Sequence, residues 1–216
     1  MDMIFASFNY LINLDVHLNE LVSYFGRLIY LVLFSTIFCE TGLVITSFLP
    51  GDSLLFIVGA LASQGTLNIE VIIVILIIAA ILGDTSNYFI GRYLGPKIFS
   101  GDKLIFFNKK YILKTHVFYE KYGGKTVLVA RFLPMLRAFA PFAAGMGAMP
   151  YRKFIIYNVI GDVLWVLIFT LSGFFFGTIP YVKNNFILVV IAVASFSTLS
   201  LLTIYMTKHK FTIKKL

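Results

Sequence analysis

The sequence predicts an all-α integral membrane protein, built as an inverted repeat of a re-entrant hairpin plus a transmembrane helix, with an added carboxyl-terminal transmembrane helix. Of its 216 residues 59% are hydrophobic and only 13% are charged, and the mean hydropathy is +0.91, far from the values of soluble domains. Two apolar stretches are interrupted by Pro and Gly and carry charge near their middles. That pattern suits re-entrant hairpins better than plain spans.

Uninterrupted apolar segments of about 20 residues predict three full spans. The stretch between the two halves mixes aromatic residues with lysines, which suits a helix lying in the membrane interface. Together these pieces fill one membrane domain, 1–216. In chain order we predict an amphipathic amino-terminal segment 1–27, hairpin 28–62, span 69–90, interfacial helix 102–122, hairpin 126–149, spans 154–176 and 186–207, and a basic tail 208–216.

The distribution of lysine and arginine predicts the orientation. The formal net charge of +8 comes mostly from the middle loop, 92–125, and from the tail, 208–215. Both places are therefore expected on the cytoplasmic side, next to anionic lipid. With the carboxyl terminus inside, the two hairpins enter from opposite faces of a multi-pass protein in the cell (plasma) membrane.

The tripeptide Phe-Leu-Pro occurs twice, at 48–50 and at 132–134, each time beside charge in an apolar stretch. A charge deep in lipid is expensive, and a proline breaks the helix that would satisfy the backbone polar groups, so such segments line a protein-enclosed cavity. The pair is therefore a candidate site. The flanking charges are Glu40 and Asp52 at the first copy, and Arg131 and Arg137 at the second.

Arg131 and Arg137 predict binding of a phosphate headgroup, because a guanidinium stays protonated and its planar fork matches phosphate oxygens. We expect Pro134, Pro141 and Gly145 to break the second hairpin and open it around them. The alternative is that both arginines extend to the cytoplasmic interface as anchors.

Glu40 and Asp52 predict a proton-binding site, because a carboxylate in a poorly hydrated place takes up a proton more readily than one in water. Pro50 and Gly51 break the first hairpin beside them. Alternatively, the two carboxylates pair with the two arginines across the repeat interface as a structural lock. The two interpretations are compatible.

Asp84, Tyr88 and Arg92 lie four residues apart and share one helical face. We expect a structural role for most of this face, with Asp84 as a functional candidate because it is an acid within a span. Asp162 lies within another span and is a candidate for the same reason. We assign Trp165 to packing.

Several kinds of chemistry are disfavoured. The only cysteine excludes an internal disulfide or a cysteine-rich metal site, and the three histidines are too scattered for a metal cage. There is no GxxxxGK[ST] loop for ATP. We therefore expect no metal, no cofactor, no catalytic residue, no nucleic-acid partner and no enzymatic activity.

Several motifs occur in a fixed order between Leu28 and Phe176. They are Glu40 with Phe-Leu-Pro-Gly-Asp at 48–52, Gly-Asp-Thr-Ser-Asn-Tyr-Phe-Ile-Gly-Arg-Tyr-Leu-Gly at 83–95, Tyr-Gly-Gly-Lys at 122–125, Arg-Phe-Leu-Pro-Met-Leu-Arg at 131–137, Pro141 with Ala144 and Gly145, and Asn158 with Gly161 and Trp165. On these motifs the chain resembles the DedA family of bacterial membrane proteins, also called SNARE-associated or VTT-domain proteins.

The resemblance implies opposed re-entrant hairpins and a role in moving lipids. Bacterial members look like transporters of undecaprenyl phosphate, and eukaryotic relatives look like lipid scramblases. The family's important acids map onto Glu40 and Asp52, and its arginines onto Arg131 and Arg137. Asp162 departs from the family pattern, where a small apolar residue is more usual, so no family role extends to it.

The resulting hypothesis is a flippase or scramblase-like transporter that returns undecaprenyl phosphate from the outer to the inner leaflet of the bacterial inner membrane, for reuse in envelope synthesis and with proton coupling. One alternative is a general phospholipid scramblase, for example for phosphatidylethanolamine. Another is a proton-coupled antiporter or small-ion carrier, and a third is a membrane scaffold. The sequence leaves open the lipid, the coupling ion, the direction of net transport and whether the protein is a homo-oligomer.

Overall fold

A computed structural model describes residues 25–43, 51–99 and 123–179, and these segments are helical without any strand. The predicted all-α class is thus confirmed for the described part of the chain. The predicted interfacial helix, the span 186–207, the basic tail and nearly all of the amino-terminal segment lie outside the described residues. In order the helices are α1 (Leu28–Gly42), α2 (Gly51–Ser63), α3 (Ile69–Phe99), α4 (Lys125–Ala130), α5 (Pro134–Met146) and α6 (Tyr151–Phe176).

The helices α3 and α6 are long and apolar enough to cross a membrane. The apolar part of α3 has 27 residues and α6 has 26, or about 40 Å each at 1.5 Å per residue. The carboxamide of Asn68 begins α3 by accepting hydrogen bonds from the N–H groups of Glu70 and Val71, at 3.0 and 3.1 Å. The helix then continues past the predicted end at 90, and α6 begins three residues before the predicted start at 154.

The outward faces of α3 and α6 are apolar. Exposed aliphatic and aromatic side chains recur every three, four or seven residues, so each helix has a continuous apolar stripe on its surface. A surface of this kind suits contact with lipid chains and is unlike that of a soluble protein. The stripes are Val71, Val74, Ile78, Leu82 and Phe89 on α3, and Ile156, Ile160, Leu164, Ile168 and Phe175 on α6.

Short apolar helices occupy the two stretches predicted as hairpins. In the second stretch, Leu133 has an extended backbone (φ −116°, ψ 107°), and α5 begins directly afterwards at Pro134. The residue before a proline avoids the helical region, so the Phe-Leu-Pro segment separates α4 from α5. However, α5 continues through Pro141 and Gly145, so these two residues do not end a helix as predicted. Pro50 lies outside the described residues, while Gly51 is the first residue of α2.

Each pair of short helices is divided between the two long helices, an arrangement here called exchanged packing. The first helix of each pair packs on the long helix that follows it, which joins α1 to α3 and α4 to α6. The second helix of each pair packs on the other long helix, which joins α2 to α6 and α5 to α3. The two halves are therefore interlocked, and α3 also contacts α6.

Glycines allow both exchanged crossings. A Cβ atom at Gly59 or Gly173 would collide with a carbonyl oxygen across the α2–α6 crossing, and one at Gly91 or Gly145 would do so across the α3–α5 crossing. In all four cases the carbonyl belongs to the residue three positions before the facing glycine. The two crossings thus repeat one backbone arrangement, in which only glycine permits the close approach. This explains Gly145 inside α5.

Candidate functional site

Six charged side chains from five helices and one turn lie buried in the interior. Each of these residues is at most 8% exposed. They form two clusters, each with one arginine and two carboxylates. Glu40 lies near the end of α1, Asp52 at the start of α2, Asp84 within α3, Arg131 in the turn before α5, Arg137 in the first turn of α5, and Asp162 within α6.

The first cluster, here called the Arg137 cluster, joins Arg137 to Glu40 and Asp52. The Nη1 atom of Arg137 lies 2.5 Å from Oδ1 of Asp52, and its Nη2 atom donates to Oε1 of Glu40. The same Glu40 oxygen accepts a hydrogen bond of 3.0 Å from the backbone N–H of Gly51. Arg137 therefore contacts the end of α1 through Glu40 and the start of α2 through Asp52.

The second cluster, here called the Arg131 cluster, joins Arg131 to Asp84 and Asp162. Nη1 of Arg131 donates to Asp84, and Nη2 contacts Oδ1 of Asp162. The carboxamide of Asn158 donates to Oδ2 of Asp162 at 2.8 Å. The alternative that paired both arginines with Glu40 and Asp52 agrees with the structure for Arg137 only. For Arg131 it is corrected: Arg131 precedes the break at Leu133, and its side chain lies against the long helices.

Trp165 lies between the two clusters. Its ring centroid is 5.1 Å from Cζ of Arg131 and 4.9 Å from Cζ of Arg137, within the range of cation–π interactions. Its indole Nε1–H donates to Oδ1 of Asp52 at 2.7 Å. Trp165 therefore packs in the hydrophobic core, as predicted, and in addition contacts both clusters. The sequence signal was present, because this only tryptophan follows Asp162 by three residues and so shares its helical face.

The rest of the predicted α3 face does not join the clusters. Tyr88 is buried, donates to the backbone carbonyl of Met149 and stacks on Phe154 with ring centroids 4.6 Å apart. Arg92 donates to the Tyr88 hydroxyl at 2.9 Å. Asp84 alone of this face reaches a buried arginine.

Sequence reasoning missed Asn87. Its carboxamide nitrogen donates to the carbonyl of Thr41 at 3.1 Å and to that of Ala138 at 2.7 Å. One side chain on α3 therefore hydrogen-bonds to the end of α1 and to the first turns of α5. These are the two elements that carry Glu40 and Arg137.

The charges in the two clusters do not balance. In the part of the chain that the structure describes, four carboxylates face two guanidinium groups, which gives these six side chains two net negative charges when all are ionised. Among the described residues, Oε2 of Glu40 and Oδ1 of Asp84 have no hydrogen-bond donor. A buried charge without compensation is costly, so the site favours binding of protons or other cations. Within the described segments, no three His, Cys, Asp or Glu side chains are arranged to hold a metal ion.

Fold and site together define a helical membrane protein with a buried, polar, charge-rich centre. The VTT domain matches residues 49–175. Over 201 residues the chain is 54% identical to Protein DedA of Escherichia coli K12, an alignment that covers 92% of each protein. It is 42% identical over 149 residues to an uncharacterized membrane protein of Mycobacterium leprae, covering 69% of this chain and 67% of the relative.

A third relative, Inner membrane protein YghB of Escherichia coli K12, is 38% identical over 157 residues, which are 73% of this chain and 72% of the relative. No solved structure shows a significant match. The chain belongs to the VTT-domain (DedA) family of membrane proteins.

Proposed function

We propose that this protein is a non-enzymatic lipid transporter that moves a lipid with an anionic phosphate headgroup between leaflets, with undecaprenyl phosphate carried from the outer to the inner leaflet as the leading case. The observation that supports this most strongly is the pair of arginines buried at the centre of a membrane protein. A guanidinium offers paired donors that match phosphate oxygens, and its charge offsets that of the phosphate in a medium of low polarity.

The partners of the arginines suggest how protons enter the cycle. Both guanidinium groups are occupied by carboxylates, so a phosphate must displace them. Protonation of Glu40 or Asp52 weakens the hold on Arg137 and frees its donors for the headgroup. We infer that proton uptake and phosphate binding occur together, and that the pH gradient drives net transport.

We further propose that the two halves form an inverted repeat, with re-entrant hairpins at 28–62 and 126–149. The exchanged packing of the short helices and the matched glycine crossings support a two-fold relation between the halves. Opposed hairpins would place the Arg137 cluster near the bilayer midplane, where either leaflet can reach it in turn. A multi-pass chain with its carboxyl terminus in the cytoplasm completes this arrangement.

A small-ion carrier is the second candidate, and the excess of buried carboxylates favours it. The candidates differ in what depends on Arg137. A lipid carrier needs its charge and its donors to hold a phosphate, whereas a cation carrier would be helped by losing a positive charge beside the carboxylates.

The test is leaflet-resolved transport in proteoliposomes that contain undecaprenyl phosphate or phosphatidylethanolamine, with and without a pH gradient. Arg137→Ala and Arg137→Lys are compared with wild type, and Arg152→Ala is the control because Arg152 is exposed at the start of α6. We expect both Arg137 variants to lose transport by tenfold or more, since one bidentate charged contact contributes about 1.5–3 kcal/mol.

Each outcome separates the candidates. Faster movement of undecaprenyl phosphate than of phosphatidylethanolamine supports the proposed lipid, and equal rates indicate a general phospholipid scramblase. If no phosphorylated lipid changes leaflet while protons or small cations cross the wild-type membrane, the ion carrier takes its place.

A further inference from the structure

The Arg131 cluster contains a pair of carboxyl groups that is unbalanced in charge. Asp84 on α3 and Asp162 on α6 are both 0% exposed, and both face the single guanidinium of Arg131. With both acids ionised, the cluster holds one uncompensated negative charge in a fully buried place. Such a charge is normally neutralised, and a proton is the simplest means.

Among residues 25–43, 51–99 and 123–179, no second positively charged side chain forms an ion pair with Asp84 or Asp162. From α6, Asn158 donates a neutral amide hydrogen to Asp162, and Trp165 presents its ring to Arg131. On the far side of Trp165 lies Arg137, which is already shared between the two carboxylates of its own cluster. The excess negative charge of Asp84 and Asp162 therefore has to be neutralised within the Arg131 cluster.

The geometry of the two carboxyl groups points to a shared proton. Asp84 contacts Nη1 and Asp162 contacts Nη2 of the same guanidinium, so the two carboxyl groups lie next to each other. Two ionised carboxylates are both acceptors and repel in such a position, whereas a protonated carboxyl group donates to its neighbour. In addition, Oδ1 of Asp84 has no donor among the described residues. One bound proton supplies that donor.

We propose that Asp84 and Asp162 share one proton and form a proton-binding site distinct from Glu40 and Asp52. With one proton bound, the Arg131 cluster is neutral. A second proton leaves Arg131 without an anionic partner, and its guanidinium can then bind an anion.

The role of this site in transport rests on the function proposed above. There, the pair would set the pH at which Arg131 joins Arg137 in holding a phosphate. Because Trp165 contacts both guanidinium groups, a shift of Arg131 towards the headgroup is transmitted directly to Arg137.

Infrared spectroscopy of the full-length protein in lipid nanodiscs tests the shared proton without any transport. Aspartate labelled with carbon-13 at the side-chain carboxyl shifts the stretching band of a protonated aspartate. We expect one such band at neutral pH in the wild type, lost in Asp162→Asn and in Asp84→Asn. It should remain in Glu40→Gln and in Glu70→Gln, the latter being exposed on the same helix as Asp84.

Two results overturn the proposal. One is the absence of a protonated aspartate band in the wild type from acidic to neutral pH. The other is a band that survives both Asn variants and disappears in Asp52→Asn. The two Asn variants are independent, and asparagine keeps the shape of aspartate, so failure of one variant to fold leaves the other as the test.

Transport measurements then assign the role. One-proton control changes the wild-type rate by up to about tenfold per pH unit, and the Asp162→Asn rate should depend less steeply on pH in the same range, because the pair no longer takes up its proton. An infrared band without lipid transport supports the proton pair and refutes the proposed function. Lipid transport without the infrared band supports the proposed function and refutes the proton pair.

Discussion

The two arginine clusters each combine one arginine with two acidic residues but are built from different structural elements. The Arg137 cluster is assembled from the ends of short helices, since Glu40 lies near the end of α1, Asp52 at the start of α2 and Arg137 in the first turn of α5. The Arg131 cluster takes both carboxylates from the interiors of the long helices. Helix ends rearrange at lower cost than helix interiors, because few hydrogen bonds have to break.

Burial differs in part along the same line. Asp52 and Arg137 are 8% and 5% exposed and Asp84 and Asp162 are completely buried, while Glu40 and Arg131 are similar at 1% and 3%. We infer that partners exchange at the Arg137 cluster. In the Arg131 cluster, Arg131 bridges α3 and α6 through Asp84 and Asp162.

The largest expected effect is on stability, from removal of Arg131. Arg131→Ala leaves two carboxyl groups buried without a cation, which should lower the free energy of unfolding by about 3–5 kcal/mol. Arg137→Ala should cost less, because its cluster lies closer to the surface and at helix ends. Thermal unfolding in detergent, followed by circular dichroism, measures both.

A rescue experiment sharpens this comparison. Adding Asp84→Asn and Asp162→Asn to Arg131→Ala removes the uncompensated charges and should recover part of the lost stability. Equal unfolding temperatures for Arg131→Ala and Arg137→Ala would show that the two clusters do not differ in the way described.

The next effect in size concerns the link between the clusters. Trp165→Phe keeps an aromatic ring near both arginines but removes the donor to Asp52, a hydrogen bond to a charged group worth about 1.5–3 kcal/mol. The loss should fall on the Arg137 cluster only. Double-mutant cycles of unfolding free energy check this, with coupling expected between Trp165→Phe and Asp52→Asn and near additivity expected with Asp84→Asn. The opposite pattern would assign Trp165 to the Arg131 cluster.

The outline of the fold and the members of the site were predictable because lipid restricts the alternatives so strongly. In a chain this apolar, charges beside helix-breaking prolines indicate a buried site, and this reasoning singled out Glu40, Asp52, Arg131 and Arg137. All four are buried in the structure.

The pairing of Arg137 with Glu40 and Asp52 was among the predicted alternatives, whereas the partners of Arg131 could not be predicted. Whether Arg131 faces the hairpin acids or the long helices depends on the turn direction around Leu133 and on the α3–α6 contact. Both are set by tertiary packing. Asn87 was missed for a similar reason, since its acceptors are backbone carbonyls about fifty residues away, and no local pattern reveals them.

A smaller effect is expected at the glycine that precedes Asp52. A Cβ atom at Gly51 would overlap the carboxylate of Glu40, which would have to move away from Arg137. Gly51→Ala should therefore lower stability by about 1–3 kcal/mol, the usual range for overpacking, and reduce transport because one partner of Arg137 is displaced. The unfolding temperature and leaflet-resolved transport check the two effects. If Gly51→Ala had the unfolding temperature and the transport rate of the wild type, the carboxylate of Glu40 would not lie against Gly51.

The smallest effect is expected at the corresponding position of the Arg131 cluster, where Gly161 precedes Asp162. A Cβ atom at Gly161 would lie 3.7–3.9 Å from atoms of Leu128 and Arg131, which is ordinary contact. Since alanine is favoured over glycine within a helix by up to about 1 kcal/mol, Gly161→Ala should be neutral or slightly stabilising and should leave transport unchanged.

Gly51→Ala and Gly161→Ala thus form a matched pair of the same substitution, each one residue before an aspartate of a cluster. Opposite signs of the change in unfolding temperature are expected because only the Arg137 cluster has its carboxylate pressed against the glycine. If Gly161→Ala were as harmful as Gly51→Ala, Gly161 would be as closely packed as Gly51, and the difference described between the two positions would be refuted.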